Sequence, residues 1–127
     1  MNDKGYHYIL DLTLKDENIL KRSDLLKCLF EAALTKFNIL KYDEYKFTTG
    51  GCGVTAVFLL SESHCSYHTY PENNYIAIDI FTCGKDPTQV VNLILQRLSP
   101  INKRIICLKR GSKLTQNFLE LDQGELQ

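Results

Sequence analysis

Along residues 6–13 the side chains alternate, with Tyr6, Tyr8, Leu10 and Leu12 against His7, Ile9, Asp11 and Thr13, as a strand with one buried face requires. From Ser23 the step changes. Leu25, Leu26, Leu29, Phe30, Ala33, Leu34 and Phe37 recur three and four residues apart, predicting a helix with Ser23 as N-cap and an end near Asn38. Residues 39–47 read as a second strand, and the run Thr48-Thr49-Gly50-Gly51-Cys52-Gly53 as a tight or irregular turn. A strongly apolar third strand, 54–60, leads straight into residues 61–70, where hydroxyls, imidazoles and a carboxylate crowd together before the turn Pro71-Glu72-Asn73-Asn74. Another strand is predicted over 75–81. Asp86-Pro87 then offers an N-cap and a first-turn proline for a helix striped by Val90, Val91, Ile94, Leu95 and Leu98 and stopped by Pro100. A last strand over 103–109 precedes a polar tail, expected to be loose beyond Gly111.

The order β-α-β-β followed by β-β-α-β joins neighbouring strands by short turns, which favours antiparallel pairing. It predicts an α+β two-layer sandwich, a mostly antiparallel sheet with two helices on one face. The 127 residues, 44% of them hydrophobic, suffice for one core and predict a single domain. Fifteen basic residues balance fifteen acidic ones, so the chain has no field to gather nucleic acid or to hold it on an anionic membrane. Small molecules or another protein chain are the expected partners. No apolar run reaches the roughly 18 to 20 residues of a membrane span, and a cytoplasmic protein is expected. Five widely spaced cysteines without a C-x-x-C pair fit reduced thiols, most of them small buried hydrophobes.

The chemistry concentrates in 61–72, delivered by a rigid strand. A serine hydrolase site lacks its G-x-S-x-G elbow. A metal site could draw on His64, Cys65, His68 and Cys83, but strand alternation sends His64 and Cys65 to opposite faces, so no metal is expected. An ordinary polar strand end, its hydroxyls satisfying backbone groups, is the plain structural alternative.

Glu62-Ser63-His64, then His68-Thr69 and Pro71-Glu72, followed by Asp79-Ile80-Phe81-Thr82-Cys83-Gly84, closely resemble the short bacterial and archaeal S-adenosylmethionine decarboxylase proenzymes. Gly5, His7 and Gly53-Val54-Thr55 match as well, and the resemblance extends from about residue 5 to residue 98. It implies that Ser63 attacks the Glu62 carbonyl, turning the peptide bond into an ester. Loss of the Ser63 α proton then expels the Glu62 carboxylate, and hydrolysis leaves a pyruvoyl group, the covalent cofactor. The products would be residues 1–62 and 63–127. By resemblance His68 is the base, and the Thr55 hydroxyl, where many members carry serine, helps hold the intermediate. The mature enzyme would hold the substrate amine as a Schiff base, with Cys83 returning a proton after carbon dioxide leaves.

The resemblance also implies that Glu72 hydrogen-bonds the ribose and that cleaved protomers pair as a homodimer, while this chain's own Tyr70 and Phe47 are the rings expected to meet the base. The product would be the aminopropyl donor for spermidine synthesis. His7 reads more simply as a satisfied core or interface residue. Three positions depart from the family pattern: Tyr70 stands where tryptophan is usual, and Thr49 and Gly51 where an aromatic residue and a proline are usual. Relatives with the same cleavage machinery decarboxylate ornithine or arginine, for which Glu72 or Asp43 could hold the distal cation. A non-catalytic partner of a related decarboxylase is the remaining alternative.

Overall fold

The computed structural model describes residues 4–111 and the backbone of residues 119–121. The strands are β1 (Gly5–Thr13), β2 (Ile39–Lys46), β3 (Val54–Leu60), β4 (Ser63–Tyr70), β5 (Tyr75–Cys83), β6 (Asn102–Arg110) and β7 (Leu119–Leu121); the helices are α1 (Ser23–Ala33) and α2 (Thr88–Leu98). They form a seven-stranded sheet in the order β2-β3-β4-β5-β1-β6-β7, antiparallel at every pairing. The α+β sandwich predicted from the alternation is the observed architecture.

Alternation decides which face each side chain meets. Tyr8, Leu10 and Leu12 of β1, Phe58 and Leu60 of β3, Cys65 and Tyr67 of β4, and Ile76, Ile78 and Ile80 of β5 are buried in one core with Leu26 and Phe30 of α1 and Val91 and Ile94 of α2. Both helices therefore cover the same face. Phe30 stacks on Tyr67 with ring centroids 4.3 Å apart, seating α1 over the β3–β4 hairpin. The opposite face carries the intervening residues, among them His7, Thr55, His64, Ser66, His68 and Asp79, and no helix among the described residues covers it.

Several expected boundaries move. Helix α1 ends at Ala33 rather than near Asn38, and the Thr35 hydroxyl donates to the Ala32 carbonyl, a side-chain bond that competes with continued helix. Ser23 is the first helical residue and not the cap; Arg22 stands there, its guanidinium bonding the Asp24 carboxylate at 2.8 and 3.0 Å. At α2 the cap is Pro87 rather than Asp86, which stands one residue further out and still accepts the Thr88 N–H at 2.9 Å. Of the tail expected to be loose, residues 119–121 instead pair with β6, and residues 112–118 and 122–127 lie outside the described residues.

Candidate active site

The β3–β4 hairpin closes on the pair Leu60 and Ser63, leaving Ser61 and Glu62 as its turn. Glu62 has φ of 64°, left-handed backbone that costs a residue with a Cβ about 1–2 kcal/mol. The strain therefore sits on the residue before Ser63. Ser63 opens β4 facing the core, 8% exposed, and its Oγ accepts the backbone N–H of Cys83 from the end of β5 at 3.3 Å. The Cys83 residue itself is exposed. Thr82, fully buried, donates to the Lys85 carbonyl and fixes the chain just past the strand, where Gly84 turns with φ of 80°. Glu62, Ser63 and Cys83 thus form one cluster at one end of the sheet.

A second cluster occupies the other end. Thr55 and His68 face each other across β3 and β4, with Oγ1 and Nδ1 3.1 Å apart. Two residues on, Tyr70 stacks against Tyr75 with centroids 5.4 Å apart. Phe47, Gly51, Tyr70 and Glu72 line a recess of about 170 Å³. Gly51 lies so close to Glu72 that a Cβ there would stand 2.7 to 2.8 Å from the carboxyl atoms. The glycine-rich turn and the 3-10 turn Pro71–Asn73 are pressed together by that approach. Asp43 lies on the open face in a neighbouring depression of about 360 Å³ with Thr55 and His68.

The two clusters do not meet within one chain. Ser63 and His68 are five residues apart on the same strand, about 17 Å at ~3.4 Å per residue, and their odd spacing sends them to opposite faces. Within a single chain His68 does not come within hydrogen-bond reach of Ser63. The four side chains weighed as metal ligands are also dispersed: Cys65 is buried toward the helices, His64 and His68 face the other way, and Cys83 stands at the strand end. Burial pushes the Cys65 thiol far above its ordinary pKa.

A third constellation went unassigned in the sequence. Asp79, on the open face of β5, accepts His7 Nε2 at 3.0 Å and the Ser66 hydroxyl, with His64 Nε2 3.5 Å away. Burial alone would raise its pKa, but the His7 and Ser66 hydrogen bonds and the nearby His64 pull it down to about 2. The signal was legible only as parity. Asp79 shares a face with Phe81, and alternation on β1 and β4 sends His7, His64 and Ser66 the same way.

A family model described as S-adenosylmethionine decarboxylase matches residues 6–111. The chain belongs to that family. It is similar to the S-adenosylmethionine decarboxylase proenzyme of Pyrococcus horikoshii, 33% identical over 113 residues that cover 87% of this chain and 81% of the relative. It is likewise 36% identical over 115 residues to the proenzyme so named from Thermoanaerobacter pseudethanolicus, covering 87% and 91% of the two chains. The crystal structure of the adenosylmethionine decarboxylase from Aquifex aeolicus superposes with a TM-score of 0.82 at 26% identity, over 92% of this chain and 98% of that one. The enzyme is a carboxy-lyase. Among the described residues no helix is long and apolar enough to cross a membrane.

Proposed function

We propose that the chain is a proenzyme that opens its own Glu62–Ser63 bond, and that the cleaved product decarboxylates S-adenosylmethionine. The observation that carries this reading is the left-handed Glu62 placed directly before a Ser63 whose Oγ is held by the Cys83 N–H. Attack of that Oγ on the Glu62 carbonyl moves the acyl group from nitrogen to oxygen and releases the turn from its strained conformation. A base then removes the Ser63 α proton and the Glu62 carboxylate departs. Water replaces the resulting imine nitrogen, which leaves as ammonia, and residue 63 retains a pyruvoyl group. The buried setting of Ser63, paired with Leu60 of β3, suits so small a group. Such a group would supply an electron sink for the bonding pair left on the substrate's α carbon as carbon dioxide departs. Cys83, exposed beside it, is the group that returns the proton.

The base comes from the second cluster. His68 Nδ1 and the Thr55 hydroxyl are hydrogen-bonded, and in the tautomer where Nδ1 donates, Nε2 keeps a lone pair for proton abstraction. Because the clusters lie at opposite ends of one sheet, His68 and Thr55 of the partner subunit would complete each Ser63 site in a two-fold dimer. A two-fold axis that brings one end of the first copy to the other end of the second makes two equal sites. Exposed Tyr45, Phe47, Leu59 and Tyr70 near this surface support such pairing. The recess of Phe47, Tyr70 and Glu72, with the names of the relatives, supports an adenosyl substrate, whose product is an aminopropyl donor such as spermidine synthesis needs. Asp43 beside His68 is the observation favouring a diamino acid instead. Free thiols throughout are consistent with a reducing, cytoplasmic setting.

Mixing Ser63→Ala chains with His68→Ala chains tests the arrangement. Neither variant alone should form the cleaved, pyruvoyl-bearing product, and the mixture should, because an exchanged dimer holds one intact pairing of Ser63 with His68. A mixture in which no chain matures, although exchange is demonstrated with tagged copies, rejects completion by the partner. Carbon dioxide release from S-adenosylmethionine, ornithine and arginine, measured side by side, tests the substrate.

A further inference from the structure

All three histidines of the chain project from the open face of the sheet, yet only two of them converge. His64 of β4, Phe81 of β5 and His7 of β1 form one row across three strands, and Asp79 stands two residues before Phe81 on the same face. His7 Nε2 and His64 Nε2 lie 3.0 and 3.5 Å from the same oxygen, Asp79 Oδ2, and the three atoms fall within 4.8 Å of one another. Donors about 2.0–2.1 Å from a tetrahedral zinc ion are about 3.3 Å apart, so each nitrogen already stands near coordination spacing from Asp79 Oδ2. The imidazole planes meet at 80°, and the Phe81 ring packs against both, at 5.6 and 5.8 Å between centroids. Ser66 occupies the other Asp79 oxygen, Oδ1, and so fixes the carboxylate while Oδ2 faces the imidazoles. That is the orienting role an outer hydrogen bond performs around a metal ligand.

Both imidazoles and the carboxylate come from strands rather than loops, so the spacing is set by the sheet register. Two nitrogens and one oxygen with room for a further ligand suit zinc, cobalt or nickel, whereas magnesium and calcium prefer all-oxygen shells. We propose that His7, His64 and Asp79 form a binding site for one divalent transition-metal ion, with water in the remaining position. None of these three side chains belongs to the two clusters assigned to cleavage and turnover. His7 lies in residues 1–62, and His64 and Asp79 lie in residues 63–127. If the chain opens at Glu62–Ser63, the ion ties one product to the other; this consequence, unlike the site itself, rests on the cleavage reading.

The test uses untagged full-length protein, stripped with chelator and titrated with Co²⁺ and then Zn²⁺. One cobalt per chain, with the visible absorption of a four-coordinate ion and displacement by zinc, is the expected result. His64→Ala and Asp79→Asn should each weaken binding by more than the roughly 10- to 100-fold that loss of an orienting partner costs, and Ser66→Ala by about that amount. His68→Ala should bind as the parent does. Circular dichroism checks each variant's folding, and if Asp79→Asn fails to fold, His64→Ala decides. Binding that is absent, or equally strong in His64→Ala, overturns the site. Ser63→Ala, which stays one chain, should bind the same ion, so a parent protein that never cleaves still tests the site. The clamp is tested separately: zinc should raise the denaturant needed to part the two products, and no shift overturns the clamp alone.

Discussion

Cys83 ends β5 exposed, while its backbone N–H holds Ser63, so one residue serves the two stages through different atoms. Cys83→Ala keeps the N–H and should be processed normally, because cleavage needs the backbone contact and not the thiol. Turnover should fall by about 100-fold or more, the range for loss of a positioned proton donor. Mass spectrometry of the cleaved chain and a carbon dioxide assay check the two halves of that statement, and normal turnover would remove the thiol from the reaction. Tyr70 is 45% exposed with one face already stacked on Tyr75, leaving the other for a base. Tyr70→Ala should weaken S-adenosylmethionine about 10- to 100-fold, since stacking on a base is worth roughly 1 to 3 kcal/mol. An unchanged KM would point to the depression beside Asp43. Ser63, His68, Tyr70 and Glu72 were legible as residue types in a dense polar run, and Cys83 at the end of the next strand. Which strands they meet was not, because one residue's parity says nothing of which distant strand it faces.

The turns carry as much of the candidate chemistry as the strands. Between β2 and β3, Phe47 N–H bonds the Gly53 carbonyl at 2.9 Å and Cys52 N–H the Thr49 carbonyl at 3.3 Å, folding the glycine run back against Glu72. A Cβ on Gly51 would press on the flexible end of Glu72, whereas one on Gly53 would stand 2.3 Å from the Thr69 carbonyl in the backbone. Gly51→Ala should therefore displace the Glu72 carboxylate, raising KM for S-adenosylmethionine several-fold while self-cleavage keeps its rate. Steady-state kinetics beside a cleavage time course check it; slowed cleavage would mean the turn also positions the hairpin. Gly53→Ala, by contrast, should lower the melting temperature, because a backbone carbonyl has little room to yield. The sequence marked this segment as irregular from its glycines. It could not say that Gly51 faces Glu72, since a contact across about twenty residues is made by packing.

At the scale of the whole molecule, β1 lies between β5 and β6 and is hydrogen-bonded along nine residue pairs on each side. Cleavage after Glu62 would leave β1, α1, β2 and β3 on one product and β4, β5, α2 and β6 on the other, still sharing one sheet and one core. The two products should therefore co-elute in native chromatography and separate only in denaturant, with masses corresponding to residues 1–62 and 63–127. A single full-length mass after prolonged incubation at neutral pH would contradict self-cleavage, and products that part without denaturant would contradict the shared core. The alternation along 6–13 and 75–81 and the helical spacing of Leu26, Leu29, Phe30 and Ala33 were enough to determine strands, helices and a two-layer sandwich, because burial of one face is a local property of spacing. The run from Glu62 to Gly84 was enough to point to the family, because it places many specific residue types in one order. Only the tertiary structure decided that β1 enters between β5 and β6, that the Cys83 N–H reaches Ser63 Oγ, and that His7 meets Asp79 and His64. Those outcomes depend on register between strands distant in the chain, where a shift of one residue would turn each side chain to the other face.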